Sequence, residues 1–235
     1  MGPKRMTRRR LLASAAGLGA GMAIPVTLRA AGPDLSPPRN AADARQRLMD
    51  GNKRFVAGQS IHGHASGEWR KGLSAGQRPF AAILGCSDSR VPLELIFDQG
   101  LGDLFAVRVA GNVAGGDERG SLQYAVAHLH VPLVVVLGHE RCGAVTAALE
   151  PESERAKEAD GIQELVARIE PNLKTVPPSG NEAERVRQAV EANVRGSLQQ
   201  LGEAAVLKEK IASGEIRLVG AVYDLGSGRV HWLRD

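Results

Sequence analysis

Four short apolar runs, at residues 80–85, 104–109, 132–137 and 216–223, are separated from one another by stretches with helical patterning. Rich in Val, Leu, Ile and Ala, they are apolar on both faces, so both faces have to be covered. Buried strands joined through helices form a parallel sheet between two helical layers. The fold class that follows is α/β, with a central, mainly parallel β-sheet flanked by helices. A last short strand is expected at 229–233. Helices are expected near 41–56, where Leu48, Phe55 and Val56 recur at helical spacing, and near 92–98, 118–130, 142–149, 160–173 and 182–212. Gly196 and Gly202 are candidate breaks in the last of these, and the polar, Gly-rich stretch 57–78 is expected to be mostly loop.

The 235 residues suffice for one domain with a sizeable core, but aromatics make up only 3%, so that core must be aliphatic. The formal charge of +4 misleads as a guide to partners. Lys4, Arg5, Arg8, Arg9, Arg10 and Arg29 all precede the first acid, Asp34, and without these six the balance is −2. A domain with that balance offers no net attraction for nucleic acid. The basic start, with Thr7-Arg8-Arg9-Arg10-Leu11-Leu12, leads into a weakly apolar Ala/Gly-rich stretch interrupted by Pro25 and ending at Ala30 and Ala31. Residues 1–31 thus resemble a twin-arginine signal peptide, and the stretch is marginal in length and too rich in Ala and Gly for a strong permanent membrane span. A periplasmic location is expected. Residues 32–40, with Pro33, Pro37 and Pro38, are expected to be a linker, and 41–235 the folded domain.

Two of the apolar runs end in metal-binding side chains. They read Phe80-Ala-Ala-Ile-Leu-Gly-Cys86-Ser-Asp88-Ser-Arg90 and Leu133-Val-Val-Val-Leu-Gly-His139-Glu-Arg-Cys142-Gly143, and they hold the only two cysteines. Two thiolates and one imidazole make a three-ligand zinc set, which keeps a fourth tetrahedral position for water, as catalytic rather than structural zinc does. Ligands of parallel sheets gather beyond the carboxyl ends of the strands. Cys86 and His139 each fall just past such an end, so residues 53 positions apart meet if their strands are neighbours. Cys142 would then open the next helix, where a thiolate is favoured. A disulfide is the rival reading, and in an exported protein it is the default from cysteine count alone. The His139-x-x-Cys142 spacing, and export of an already folded chain, favour zinc.

With Cys86-Ser-Asp88-Ser-Arg90 followed by His139-x-x-Cys142-Gly143, the chain resembles the β-class carbonic anhydrases. Further segments are similar in order and spacing: Gly51-Asn52-Lys-Arg-Phe55, Gly102-Asp103-Leu-Phe105-x-x-Arg108, Gly120-Ser-Leu-Gln-Tyr124-Ala-Val, and Val219-Gly-Ala-Val-Tyr223-Asp-Leu-x-x-Gly228. The resemblance covers residues 41–235. It implies reversible hydration of carbon dioxide to bicarbonate and a proton, by zinc-bound hydroxide, with one zinc per subunit on Cys86, His139 and Cys142. It also implies Asp88 and Arg90 as a catalytic dyad, and Gln77, Phe105, Tyr124 and Gly143 as substrate-pocket residues, partly reaching across from a neighbouring subunit. The implied assembly is a homodimer or a dimer-based tetramer. Some members carry a Trp three residues before the first cysteine as part of an inhibitory bicarbonate site; Ile83 stands there in this chain, so the open-site, plant-like subtype is expected.

Other features read as structural. His62-x-His64 lies in a polar loop and is expected to be solvated, and His128 and His130 fall on a helix. Gly111-Asn-Val-Ala-Gly115-Gly116 lacks the spacing of a dinucleotide loop and reads as a turn. Hydrolysis of carbonyl sulfide or carbon disulfide on the same fold, and a noncatalytic zinc-binding or bicarbonate-sensing role, are the competing functions.

Overall fold

The computed structural model describes residues 36–178 and 181–234. The signal expected at 1–31 lies outside them. In chain order the elements are α1 (Ala41–Val56), α2 (Gly67–Gly72), β1 (Ala81–Gly85), α3 (Leu93–Ile96), β2 (Leu104–Arg108), α4 (Gly116–Leu129) and β3 (Leu133–His139). They continue with α5 (Gly143–Ala148), α6 (Glu152–Arg155), α7 (Asp160–Ile169), α8 (Glu182–Gly202), α9 (Ala205–Ala212), β4 (Arg217–Tyr223) and β5 (Val230–Trp232). The sheet runs β2-β1-β3-β4-β5, parallel except for the antiparallel β5. The expected α/β architecture is therefore the one observed. Among the described residues no helix is long and apolar enough to cross a membrane.

Side-chain alternation along the strands explains the two helical layers. Ala81 and Ile83 of β1, with Leu133, Val135 and Leu137 of β3, pack with Ala44 and Leu48 of α1 and Phe97 after α3. The intervening Ala82, Leu84, Val134 and Val136 pack on the other face with Leu122 of α4, Val194 and Leu201 of α8 and Leu207 of α9. Two strand glycines let α8 approach: a Cβ at Gly138 would lie 2.7 Å from Val194, and one at Gly220 2.8 Å from Leu198.

α1 starts where Asn40 caps it, its side chain accepting from the backbone of Ala42 and Asp43. Its buried face carries Asn52, whose Nδ2 donates to the carbonyls of Ile96 (3.1 Å) and Gly228 (2.8 Å) while its Oδ1 accepts from Val230 N (2.9 Å). One amide thus joins α1 to α3 and to the start of β5.

Four local expectations are refined or corrected. The stretch 57–78 is mostly loop but contains α2, capped by Ser66 and pinned by the Trp69 indole donating to Leu101 O at 2.8 Å. Long-range contact, not local pattern, orders it. His64 is not solvated: its ring stacks on Trp69 with centroids 3.8 Å apart, and its Nδ1 is 2.8 Å from Asp103 Oδ1. The long helix breaks after Gly202 and not at Gly196, where glycine instead makes room for the Asn172 side chain, which occupies the space a Cβ would need. The helix expected over 160–173 tightens to a 3-10 turn at Glu170–Leu173, where Pro171 sits.

Candidate metal centre

The register decides the site. β1 and β3 are neighbours, with Gly85 opposite Leu137, so Cys86 and His139 emerge at the same carboxyl edge. Cys142 precedes α5 in extended conformation, after Arg141 at φ +51 has turned the chain back toward the sheet. The Cys86 and Cys142 sulfurs and a nitrogen of His139 come within 4.8 Å of one another, and all three residues are buried.

The cluster suits a tetrahedral metal ion in three respects. The two sulfurs are 3.9 Å apart. That is nearly twice a disulfide bond, about 2.05 Å, and close to the separation of about 3.8 Å that two Zn–S bonds of about 2.3 Å impose at a tetrahedral angle. His139 Nδ1 lies 2.9 Å from the Glu140 carbonyl, which places its proton there and leaves Nε2 as the acceptor nitrogen. Nε2 is fully buried and has no hydrogen-bond partner. A buried ring nitrogen left so is costly unless something electron-poor meets it.

Cys86 leans toward thiolate at the expense of Cys142. The Cys142 thiol, aided by His139 and the Gly111 N–H, lowers the Cys86 pKa against the effect of burial. The same shared proton raises that of Cys142. A dication bound between the sulfurs would supply the attraction that releases the proton they share.

Asp88 stands beside this cluster. Its Oδ1 accepts from Arg90 N and Arg90 Nε, both at 2.9 Å, and its Oδ2 accepts from Arg90 Nη2 at 2.7 Å. The Arg90 hydrogen bonds hold the Asp88 carboxyl well below the usual carboxylate range, with burial opposing. Of its roughly four lone-pair positions, three are taken, and the remaining one is on Oδ2, the oxygen 3.8 Å from His139 Nε2. Arg108 at the end of β2 fastens the turn, with Nε donating to Cys86 O at 3.0 Å and Nη2 to Asp88 O at 2.8 Å.

Comparison with known proteins points to the same kind of site. The carbonic anhydrase family model matches residues 81–230. The chain belongs to the carbonic anhydrase family. It is 42% identical to carbonic anhydrase 2 of Mycobacterium tuberculosis over 82% of this chain and 93% of that one. It is 41% identical to the carbonic anhydrase of Mycolicibacterium smegmatis, over 83% and 94%. Among solved structures, the β-carbonic anhydrase CcaA superposes with a TM-score of 0.66 at 25% identity, covering 81% of this chain and 92% of that one. A tetrameric β-carbonic anhydrase of Sordaria macrospora shares the fold with a TM-score of 0.66 at 24% identity, over 82% and 98%. The fold is that of the β-carbonic anhydrases, whose cofactor is zinc.

The expected pocket residues of this carbonic anhydrase are dispersed within one chain. Gly143 opens α5 directly after Cys142. Phe105, on the edge strand β2, is half-buried and lies 6.3 Å from the Tyr124 ring, which is 48% exposed on α4. Gln77 is exposed and lines a cavity of about 450 Å³ with His64, Trp69 and Arg47, none of them a metal ligand. Sequence reading missed the part played by the 109–112 turn: Gly111 N donates to Cys86 Sγ at 3.3 Å. It also missed Asn193 and Ser197, polar residues in a helix otherwise read for its apolar stripe. Their only signal was polarity at buried helical positions.

Proposed function

We propose that this chain hydrates carbon dioxide reversibly to bicarbonate and a proton, with Cys86, His139 and Cys142 as the protein ligands of one zinc ion. The observation that carries the reading is the buried His139 Nε2, left without a hydrogen-bond partner beside two sulfurs at tetrahedral spacing, with an ionised carboxylate next to it. Bound there, zinc supplies a nucleophile at neutral pH by lowering the pKa of a coordinated water to about 7.

Asp88 directs that nucleophile. Its free Oδ2 lone pair would accept a hydrogen bond from that water and so orient an oxygen lone pair toward the carbon of the substrate. Arg90 keeps the carboxylate ionised and engages both its oxygens, which restrains it from the metal. Phe105 and Tyr124 offer apolar and aromatic surface to an uncharged gas, supplied across a dimer interface. The half-exposed edge strand β2 and the exposed Tyr124 support that assembly. Ile83 supports the open-site subtype: it is wholly buried in the core, so no side chain there is available to a regulatory anion.

Stopped-flow carbon dioxide hydration on zinc-loaded protein should show metal-dependent turnover that a chelator abolishes. Parallel assays with carbonyl sulfide and carbon disulfide should show little or none. Faster sulfur-substrate turnover would transfer the site to that chemistry, and a zinc-loaded protein inert in all three assays would leave a sensor. The N-terminal pattern supports export through the twin-arginine route to the periplasm. Denatured and native mass spectrometry of periplasmic protein should give a chain shortened near Ala31 and a dimer or tetramer; an intact Met1 or a monomer would refute each in turn.

A further inference from the structure

Behind the metal ligands lies a set of buried polar side chains that an aliphatic core does not need. Asn193 and Ser197, one turn apart on α8, are both 0% exposed. Asn193 Nδ2 donates to Gly111 O at 2.6 Å, and Ser197 Oγ donates to Asn112 O at 3.2 Å. The Asn193 amide is itself fixed, since its Oδ1 accepts from Asn172 Nδ2 at 2.9 Å and Asn172 Oδ1 accepts from Gln200 Nε2 at 3.0 Å. Two successive carbonyls of one turn are thus held by buried donors. From the same turn, Gly111 N–H reaches the Cys86 sulfur.

The turn does not hold this shape cheaply. It closes through Asn112 N donating to Val109 O at 3.0 Å, and it places two consecutive residues in the left-handed region, Gly111 at φ +73 and Asn112 at φ +42. A non-glycine residue there carries strain of about 1–3 kcal/mol that surrounding structure must offset. Gly111 is further confined, because a Cβ would lie 2.5 Å from Ile169 Cδ1 and 3.2 Å from Ala144 Cβ. The Gly111 N–H and carbonyl belong to adjacent peptides joined at the Gly111 Cα, so a change in the left-handed Gly111 torsions re-aims the N–H relative to the clamped carbonyl and swings it off the sulfur.

We propose that Asn193 is a positioning residue for the metal centre: by clamping the Gly111 carbonyl it aims the Gly111 N–H at Cys86 Sγ and thereby limits how much charge that thiolate donates. The proposal rests on the reading of the cluster as a zinc site. Its consequence is specific to this ligand set. Two thiolates donate more charge than neutral imidazoles do, and a hydrogen bond to sulfur withdraws part of it, which keeps the metal electron-poor enough to activate water.

The test uses cobalt(II)-substituted protein, whose thiolate-to-cobalt charge-transfer absorption reports the charge on sulfur, together with zinc affinity measured against a chelator. Asn193→Asp keeps the volume and the bond from Asn172 but sets an acceptor against the Gly111 carbonyl. The absorption should move to longer wavelength and zinc affinity should fall about 10-fold, the usual size of a loss behind a metal ligand. Leu201→Ala, buried on the same helix without a bond to the turn, should lower stability and leave both readouts in place. If Asn193→Asp does not fold, Ser197→Ala loosens the same turn and takes its place. An unmoved absorption band, or an equal movement in Leu201→Ala, would overturn the proposal. Absence of any thiolate–cobalt band in the unmodified protein would bring down the zinc reading, and the clamp with it.

Discussion

The Asp88→Asn variant is expected to keep its zinc and to hydrate carbon dioxide at least about 10²-fold more slowly, the range for loss of a positioned proton-handling group. The amide oxygen can still accept from Arg90 N and Nε, so the turn persists. The amide nitrogen, however, replaces an acceptor by a donor at Oδ2, where Arg90 Nη2 and the water both require an acceptor. Stability should change little, because the Arg90 partner is half exposed. Stopped-flow turnover and metal content on one preparation check this, and unchanged turnover would remove Asp88 from the mechanism. The depressed pKa fixes the sign of the pH effect. A carboxyl lowered in the folded state contributes stability above its unfolded value, about 3.9, and loses it only as pH falls further through the folded value. Activity lost on acidification above about pH 4 should therefore not come from protonation of Asp88, and a zinc-loaded crystal at neutral pH should still show Asp88 paired with Arg90.

Gly51→Ala should be among the most damaging single methyl additions in the described chain. A Cβ there would sit 1.8 Å from the Phe97 carbonyl oxygen and 2.7 Å from its carbon, both backbone atoms that cannot rotate aside. α1 must back away, and Asn52 next to it loses geometry in all three of its buried bonds. Overpacking of this kind costs about 3 kcal/mol or more, which for a domain of this size lowers Tm by roughly 6–12 °C. Gly161→Ala is the control, since a Cβ in that exposed first turn of α7 meets nothing within 4 Å. It should be neutral or stabilising by up to about 1 kcal/mol. Thermal unfolding of both variants checks the pair; equal Tm values would show that α1 does not dock on Phe97 as described.

How much was legible follows from which interactions are local. The five strands stand within a residue or two of their expected bounds, because an aliphatic run of that length is readable in its own neighbourhood. So is Asp88 with Arg90, two positions apart on one turn. α2 was hidden for the opposite reason: its sequence is polar and rich in Gly, and Trp69 earns its order from Leu101, 32 residues away. His64 was misread as solvated because its partner Asp103 lies 39 positions on. Asn193 could not be assigned a task at all, since the carbonyl it holds is 82 residues distant.

The sequence by itself determined the chemistry: only two cysteines, a histidine spaced for the same ion, and a carboxylate with its own arginine leave few uses for the ends of these strands. It also determined the layering, because strands apolar on both faces demand cover on both. Only the tertiary structure decided that β1 and β3 are neighbours, and hence that Cys86 and His139 meet, since register depends on packing across the whole sheet. Only it showed the hydrogen bond from Gly111 to the Cys86 sulfur, because a backbone N–H has no signature in a sequence until the fold aims it.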